Sequence, residues 1–296
     1  MTDDEHAHPR DSKPRSIAHG KRHFETPHGR VVYFDEGQGD AIVFVHGLVG
    51  NRTHFEHVAP AFSRSHRVIG VDMPGCGASC KPKSRHTIES YARLVLELLD
   101  SLGIARATLV GHSAGGQVCA TAALIAPSRV TRLVLINSAG LRRYAFGARF
   151  MARFFVQPWL LRLLLAPMAF RILDRVFHTK NEYVRKFIAD STSPSGAHKR
   201  QAILDMCKVF HDLAPDLMQP SVANNAHRIA VPALIIWGDR DRLVPLGAVK
   251  RAAAKFPLGR LEVIEGCGHM PIIETPEVTV ALMKDFLAVK GERGAA

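Results

Sequence analysis

Short apolar runs alternate with longer runs of mixed polarity along most of this chain. Apolar or nearly apolar stretches at residues 42–45, 107–110 and 133–136 are typical of strands that are buried on both faces of a parallel sheet. Residues 233–237 form a further run of this kind, and the pattern at 261–264 also predicts a strand. Helix-like runs separate most of these strands. The pattern therefore predicts an α/β fold in which helices flank a mostly parallel sheet.

The alternation is interrupted between residues 141 and 230, where apolar residues recur with the spacing of helices. Four segments have this periodicity: Tyr144–Phe155, Trp159–Leu165, Arg171–Phe177 and Ala197–Phe210. We predict that residues 24–140 and 231–296 form one core domain and that residues 141–230 are inserted into it as a helical cap. Such a cap would cover the pocket of the core and select the groups that enter it.

A glycine-rich turn at residues 111–116 carries the strongest candidate for a nucleophile. Its sequence, Gly-His-Ser-Ala-Gly-Gly, lies between the predicted strand at 107–110 and a helix-like run. Gly111 and Gly115 have the G-x-S-x-G spacing of a sharp strand-to-helix turn, which strains Ser113 and exposes its hydroxyl. The helix N-terminus would also direct free N–H groups at the group that the serine attacks.

A serine nucleophile needs a histidine base and a carboxylate that orients this histidine, and both residue types follow later predicted strands. Asp239 and Asp241 come directly after the strand at 233–237, and His269 lies in a glycine-flanked loop after the strand at 261–264. Loops at one edge of the sheet would bring these side chains together.

The chain order of serine, aspartate and histidine resembles that of the α/β-hydrolases. Residues His46–Gly50 are similar to the oxyanion loop of that family, and Asp72–Ser79 are similar to its D-x-P-G-x-G-x-S signature. Trp237–Asp241, followed by Pro245, and the pair Gly268–His269 complete the set. The resemblance extends from about residue 24 to 289, apart from the insert. It implies a mostly parallel sheet of eight strands with an inserted helical cap, as in esterase-like and lipase-like members.

The resemblance implies a role for each candidate residue. Ser113 would attack the scissile carbonyl, His269 would take its proton and pass it to the leaving group, and Asp241 would orient the imidazole and stabilise its charged form. The backbone N–H groups of Leu48 and Ala114 would form the oxyanion hole. No cofactor and no metal ion is implied.

Individual residues restrict the activities and the site residues that the resemblance implies. Asp241 is preferred over Asp239 because it occupies the family's W-G-x-x-D position. Epoxide hydrolases and haloalkane dehalogenases have aspartate where this chain has Ser113, so both activities are disfavoured. Some lipases place the acid after the strand that follows the nucleophile, but this chain has Asn137 there. His112, beside the serine, is expected to fix loop backbone rather than to act as a base.

The net charge of +12 is concentrated in the predicted cap, since residues 141–210 hold thirteen Lys or Arg and four Asp or Glu. The apolar stretch Phe154–Met168 is broken by prolines and Arg162 and is shorter than the roughly 20 apolar residues that span a bilayer. Two interpretations stay open for it: it lines the cap's underside and the acyl pocket, or it contacts an anionic membrane surface. Sparse aromatic residues and the lack of a recognition motif disfavour nucleic-acid binding.

Cysteine usage and the N-terminal residues bear on the cellular compartment. The five cysteines are odd in number and lack metal-ligand spacing, which favours a reducing compartment. Residues 1–23 are polar and charged, without the apolar core of a signal peptide, and are predicted to be a disordered leader. We therefore expect a cytoplasmic protein, with peripheral membrane contact through the cap as an open alternative. The sequence does not indicate an oligomeric state.

These features together predict a serine hydrolase that cleaves a carboxylic ester with an apolar acyl chain through an acyl-enzyme on Ser113. The main alternative is a carbon–carbon bond hydrolase of aromatic breakdown, which would need a pocket arginine that the sequence does not locate. Thioester cleavage and acyl transfer are further alternatives, because the fold and the triad do not determine the leaving group. A non-enzymatic protein on the same scaffold is disfavoured, since all three triad residues are present.

Overall fold

A computed structural model of the chain describes residues 21–48, 50–142, 144, 176–192, 196–219 and 221–289. Most of the predicted leader lies outside the described residues. So do nearly all of the three predicted helices between residues 144 and 177, and the apolar stretch at 154–168.

An eight-stranded sheet forms the centre of the described structure. Its strands are β1 (Arg22–Thr26), β2 (Gly29–Glu36), β3 (Ala41–Val45), β4 (Arg67–Val71), β5 (Ala107–His112), β6 (Val130–Ile136), β7 (Ala233–Gly238) and β8 (Gly259–Ile264). Their order across the sheet is β1-β2-β4-β3-β5-β6-β7-β8. Strand β2 is antiparallel to β1 and to β4, and all other neighbours are parallel. The prediction of a mostly parallel sheet is confirmed.

The central strands have apolar side chains on both faces. Every residue of β3, β5 and β7 is buried, in agreement with their largely apolar sequences. Because successive side chains of a strand point to opposite faces, Val43 joins one core cluster while its neighbours Ile42 and Phe44 join the other. Helices cover both clusters, as the sequence predicted.

Helices account for most of the remaining described residues. They are α1 (Ile88–Ser101), α2 (Ala114–Ile125), α3 (Glu182–Thr192), α4 (Gly196–Leu217), α5 (Ser221–Asn225), α6 (Leu246–Ala253), α7 (Pro271–Glu274) and α8 (Pro276–Ala288). Short 3-10 turns lie at Arg52–Phe55, Ala59–Ala61, Pro127–Arg129 and Ala226–Arg228. Helix α1 begins at a capping box, in which the hydroxyl of Thr87 accepts from the N–H of Ser90 and the Ser90 hydroxyl accepts in return.

Helices α3, α4 and α5 lie in the predicted cap interval. The predicted helix at 197–210 is part of α4, which continues to Leu217. This extension docks on the core, because the carboxylates of Asp212 and Asp216 accept from the backbone N–H groups of His86 and Ile88. Helix α3 was not predicted. The division into core and cap stays a prediction. Among the described residues, no helix combines the length and apolarity needed to span a bilayer.

Candidate active site

Four parallel strands end side by side at the edge of the sheet that carries the candidate residues. Val45 of β3 pairs with Gly111 of β5, whose next residue, His112, pairs with Ile136 of β6. Ile136 also pairs with Ile236 of β7. The loops that follow these strands therefore start next to one another, although they come from positions up to about 190 residues apart in the sequence.

Ser113 lies in the sharp turn between β5 and α2. Its backbone has φ 52° and ψ −119°, in the left-handed half of conformational space that residues with a Cβ rarely adopt. The turn is held by the N–H of Ser113, which donates to the carbonyl of Ile136 at 3.0 Å, and by the Ser113 carbonyl, which accepts from Gly116 at 3.0 Å. A Cβ on Gly115 would lie 2.1 Å from the carbonyl oxygen of Val45, so this position requires glycine.

The structure brings together the side chains of Ser113, His269 and Asp241. The Ser113 Oγ lies 3.0 Å from the His269 Nε2, and the His269 Nδ1 lies 2.9 Å from the Asp241 Oδ2. In the tautomer with a proton on Nδ1, the imidazole donates to the aspartate and accepts from the serine hydroxyl. Asp239 lies outside this chain of hydrogen bonds and pairs with the neighbouring Arg240 at 3.2 Å.

The carboxylate of Asp241 accepts from four donors. Its Oδ2 receives His269 Nδ1 and Asn137 Nδ2, the latter at 2.7 Å, and its Oδ1 receives the backbone N–H groups of Leu243 at 2.7 Å and Val244 at 3.2 Å. Burial opposes ionisation, but the hydrogen bonds from His269, Asn137 and Leu243 outweigh it and lower the pKa of Asp241 below its ordinary value. The aspartate is therefore a fixed negative charge beside the imidazole.

Two backbone N–H groups beside the serine have no hydrogen-bond partner among the described residues and could bind an oxyanion. Ala114 is the first residue of α2, so its N–H has no partner within the helix. Leu48 follows Gly47, where an added Cβ would lie 3.0 Å from the Ser113 Cβ, so this loop lies against the turn. Within the described residues, neither the Leu48 nor the Ala114 N–H donates a hydrogen bond to the protein.

His46 and His112 bond to loop backbone rather than to the serine. The His46 Nδ1–H donates to the Gly47 carbonyl at 2.7 Å, and its Nε2 accepts from the N–H of Met73 at 3.1 Å. The His112 Nε2–H donates to the His269 carbonyl at 2.9 Å. Burial lowers the pKa of both histidines, and that of His112 falls to about 3. Both rings are therefore neutral links between loops.

A small cavity lies between the Ser113 turn, the residues 73–76 loop and helix α4. Its lining includes Leu48 and Ala114. Most of its other lining side chains are apolar: Met73, Cys76, Tyr91, Val118, Val209 and Leu213. Two of them, Val209 and Leu213, come from α4. The cavity therefore offers a small apolar group a place next to Leu48 and Ala114.

Sequence reasoning missed two buried residues that hold the site. Asn137 adopts φ 42°, which asparagine tolerates, and links Asp241 to the backbone N–H of Gly238. Glu274 accepts from the N–H groups on both sides of His269. Their sequence signals are weak: an asparagine that ends a buried strand, and a glutamate within an apolar helix start. No group of three or more potential metal ligands is present among the described residues.

Comparison with known proteins assigns the family. Residues 40–276 match a family model described as alpha/beta hydrolase fold, which covers most of the chain. A relative from Burkholderia vietnamiensis, named 2-hydroxy-6-oxononadienedioate/2-hydroxy-6-oxononatrienedioate hydrolase, is 30% identical over 275 residues, which are 87% of this chain and 91% of that protein. The chain therefore belongs to the α/β-hydrolase fold family.

Two further similarities agree with this assignment. An uncharacterized hydrolase of Bacillus subtilis, YugF, is 29% identical over 272 residues, covering 88% of this chain and 96% of that protein. The solved structure of a thermophilic esterase from Thermogutta terrifontis superposes with a TM-score of 0.74 at 22% identity, covering 90% of this chain and 97% of that one. At this identity, the esterase shows the fold alone.

Proposed function

We propose that this protein is a serine hydrolase that cleaves a carboxylic ester with an apolar acyl chain. The observation that carries the proposal is the continuous chain of hydrogen bonds from the Ser113 Oγ through His269 to Asp241, with distances of 3.0 and 2.9 Å. A buried, ionised aspartate, a histidine and a strained serine in this arrangement are what an acyl transfer to serine requires.

The reaction begins when the Ser113 Oγ attacks the ester carbonyl and its proton moves to the His269 Nε2. Asp241 stabilises the imidazolium that forms. The carbonyl oxygen becomes an oxyanion that the N–H groups of Leu48 and Ala114 bind, at a gain of about 2.7–4 kcal/mol for a donor of this kind. The C–O bond breaks, and the alcohol leaves with the proton from His269. Water then repeats the sequence on the acyl-enzyme and releases the acid.

The preference for an apolar acyl chain is supported by the cavity beside the oxyanion site. Its walls include Met73, Val118 and Leu213, and burial of each methylene group gains about 0.8 kcal/mol. We therefore expect activity to rise with acyl length until the cavity is full.

A series of p-nitrophenyl esters from two to sixteen acyl carbons tests the proposal. We expect activity to peak at one chain length and to vanish in Ser113→Ala, while Ser101→Ala at the end of α1 keeps wild-type rates and labelling. Covalent labelling of Ser113 by a fluorophosphonate tests the nucleophile without knowledge of the substrate. A protein that neither hydrolyses the esters nor reacts with the fluorophosphonate would contradict the proposal.

Carbon–carbon bond hydrolysis is the second candidate, favoured by the name of the Burkholderia vietnamiensis relative. Against it, the buried arginine of the described residues, Arg52, is engaged by Asp72 through its Nη1 at 2.5 Å and its backbone N–H at 2.7 Å. The charge of Arg52 is therefore already paired with that of Asp72. Consumption of a 2-hydroxy-6-oxodienoate by the wild type, with no turnover of the ester series, would favour this candidate.

Contact of the cap with anionic membranes stays a prediction. The apolar stretch that suggested it, residues 154–168, lies outside the described part of the chain. Repeating the ester assay with phosphatidylglycerol vesicles tests it, because surface contact would raise the rate with long-chain esters and salt would weaken the effect. Equal rates with and without vesicles would count against membrane contact.

A further inference from the structure

Glu274 is a buried carboxylate that takes no part in the reaction described above. Its side chain lies at the end of α7 and is 2% exposed. Four backbone N–H groups donate to it: Gly268 at 3.0 Å, His178 at 2.8 Å and Thr179 at 2.8 Å to Oε2, and Met270 at 3.1 Å to Oε1. A carboxylate offers about four acceptor sites and no donor, so it matches this set of donors.

Two of the four donors flank His269 on either side. Gly268 and Met270 are its chain neighbours, so the carboxylate fixes the peptide groups before and after the histidine. The approach is close, since a Cβ on Gly268 would lie 2.7 Å from the Glu274 Oε1. A residue with a side chain at 268 would therefore push the carboxylate away from the histidine loop.

The other two donors belong to residues 178 and 179, which lie in the predicted cap interval. The same segment contacts the histidine directly, because the N–H of His269 donates to the carbonyl of Val176 at 3.1 Å. The side chain of Asn181 donates to the Glu274 carbonyl at 2.7 Å. Glu274 thus lies between the histidine loop and residues 176–181 and bonds to both.

We propose that Glu274 is a positioning residue that sets the location of the His269 imidazole and couples it to residues 176–179. The inference rests on the proposed function, since the position of His269 matters to the rate only if His269 is the base for Ser113. The 3.0 Å contact between Nε2 and the serine oxygen then depends on the carboxylate of Glu274, which bonds to backbone N–H groups and not to the side chains of the triad.

Two substitutions of Glu274 remove different numbers of the hydrogen bonds that its carboxylate accepts. Glu274→Gln replaces one oxygen by an NH₂ group, which cannot accept, so at least one of the four bonds is lost. Glu274→Leu loses all four. A displacement of about 1 Å at a reacting group costs up to about 100-fold in rate. We expect kcat to fall by about 10-fold in the glutamine variant and about 100-fold in the leucine variant, with KM near the wild-type value.

Two variants serve as matched controls. Glu277→Gln alters an exposed acid three residues further on, whose partner is the Tyr183 hydroxyl. Thr279→Val removes a buried hydroxyl of α8 that bonds to the carbonyls of Pro271 and Thr275. The substitution therefore weakens the junction of α7 and α8 without removing a bond to the histidine loop. We expect the valine variant to have a lower Tm and an unchanged reaction rate.

The experiment measures the rate constant for fluorophosphonate labelling of Ser113 in the full chain, together with Tm and with kcat and KM on the best ester. Slower labelling in both Glu274 variants, with wild-type rates in both controls, is the expected result. Wild-type labelling in Glu274→Gln would overturn the inference, and so would an equal loss of rate in Thr279→Val. If the leucine variant does not fold, the labelling rate of the glutamine variant alone tests the inference. A wild-type protein that is not labelled would instead overturn the proposed function.

Discussion

Replacement of Asn137 by alanine removes an amide that holds the carboxylate of Asp241. In the native protein the Asn137 Nδ2 donates to the Asp241 Oδ2 at 2.7 Å, the same oxygen that accepts from His269. The Asn137 Oδ1 accepts from the backbone N–H of Gly238 at 3.2 Å. Alanine can make neither bond, so the carboxylate keeps three of its four donors.

The size of the effect follows from the strength of a hydrogen bond to a charged group, which is about 1.5–3 kcal/mol. We equate this loss with the loss of transition-state stabilisation, because Asp241 acts through the orientation and charge of His269. Since about 1.4 kcal/mol corresponds to a factor of ten, kcat should fall by about 10- to 150-fold. KM should stay near the wild-type value, because Asn137 is fully buried and faces the aspartate.

Backbone strain has to be separated from the loss of the amide. Asn137 has φ 42°, a conformation that costs a residue with an ordinary side chain about 1–2 kcal/mol. Asn137→Gly removes the amide and adopts this conformation freely, so it is the matched control. We expect the same fall in kcat for both variants, and a Tm that is lower for the alanine variant than for the glycine variant.

The assay is steady-state hydrolysis of the best p-nitrophenyl ester, with urea unfolding of each variant. The pKa of Asp241 is lowered in the folded state, so its ionisation stabilises the fold above about pH 4 and this contribution is lost as the pH falls through the lowered value. The stability gap between the wild type and Asn137→Gly should therefore narrow in acid. A kcat for Asn137→Gly within about twofold of the wild type would refute the reasoning.

Two further predictions concern stability. Arg52→Met leaves the fully buried carboxylate of Asp72 without its cation, so the free energy of unfolding in urea should fall by about 3–5 kcal/mol. The control Arg22→Met removes an exposed arginine and should change this free energy little. Equal values for the two variants would contradict this prediction. Burial lowers the pKa of His112 to about 3, so between about pH 6.5 and 3 the unfolded chain gains a proton at this ring that the folded protein does not, and stability falls as the pH falls. His112→Asn should flatten this slope, and an unchanged slope in this variant would show that His112 does not contribute.

The fold could be predicted where burial leaves a simple pattern. Strands β3 and β7 are apolar throughout, and β5 is apolar apart from Thr108 and His112, because both faces of these strands are covered. Their sequences therefore differ from those of the helices. The pattern of apolar residues does not predict the strand at the edge of the sheet. Strand β1 is mostly exposed, so its sequence is mixed in polarity, and neither β1 nor its antiparallel pairing with β2 was predicted. Helix α3 was also missed, although its Val184, Phe187 and Ile188 have helical spacing.

Glycine spacing and residue order identified Ser113, His269 and the pair Asp239 and Asp241 as candidates, because a sharp turn after a strand requires glycine and parallel strands end at one edge. The resemblance to the α/β-hydrolases then selected Asp241. The contacts of Asn137 and Glu274 could not be derived in this way. Their partners lie 104 residues away for Asn137 and up to 96 residues away for Glu274. A difference of a few tenths of an ångström in the donor–acceptor distance decides whether a hydrogen bond forms. Only the packing of the whole sheet and its loops determines these distances.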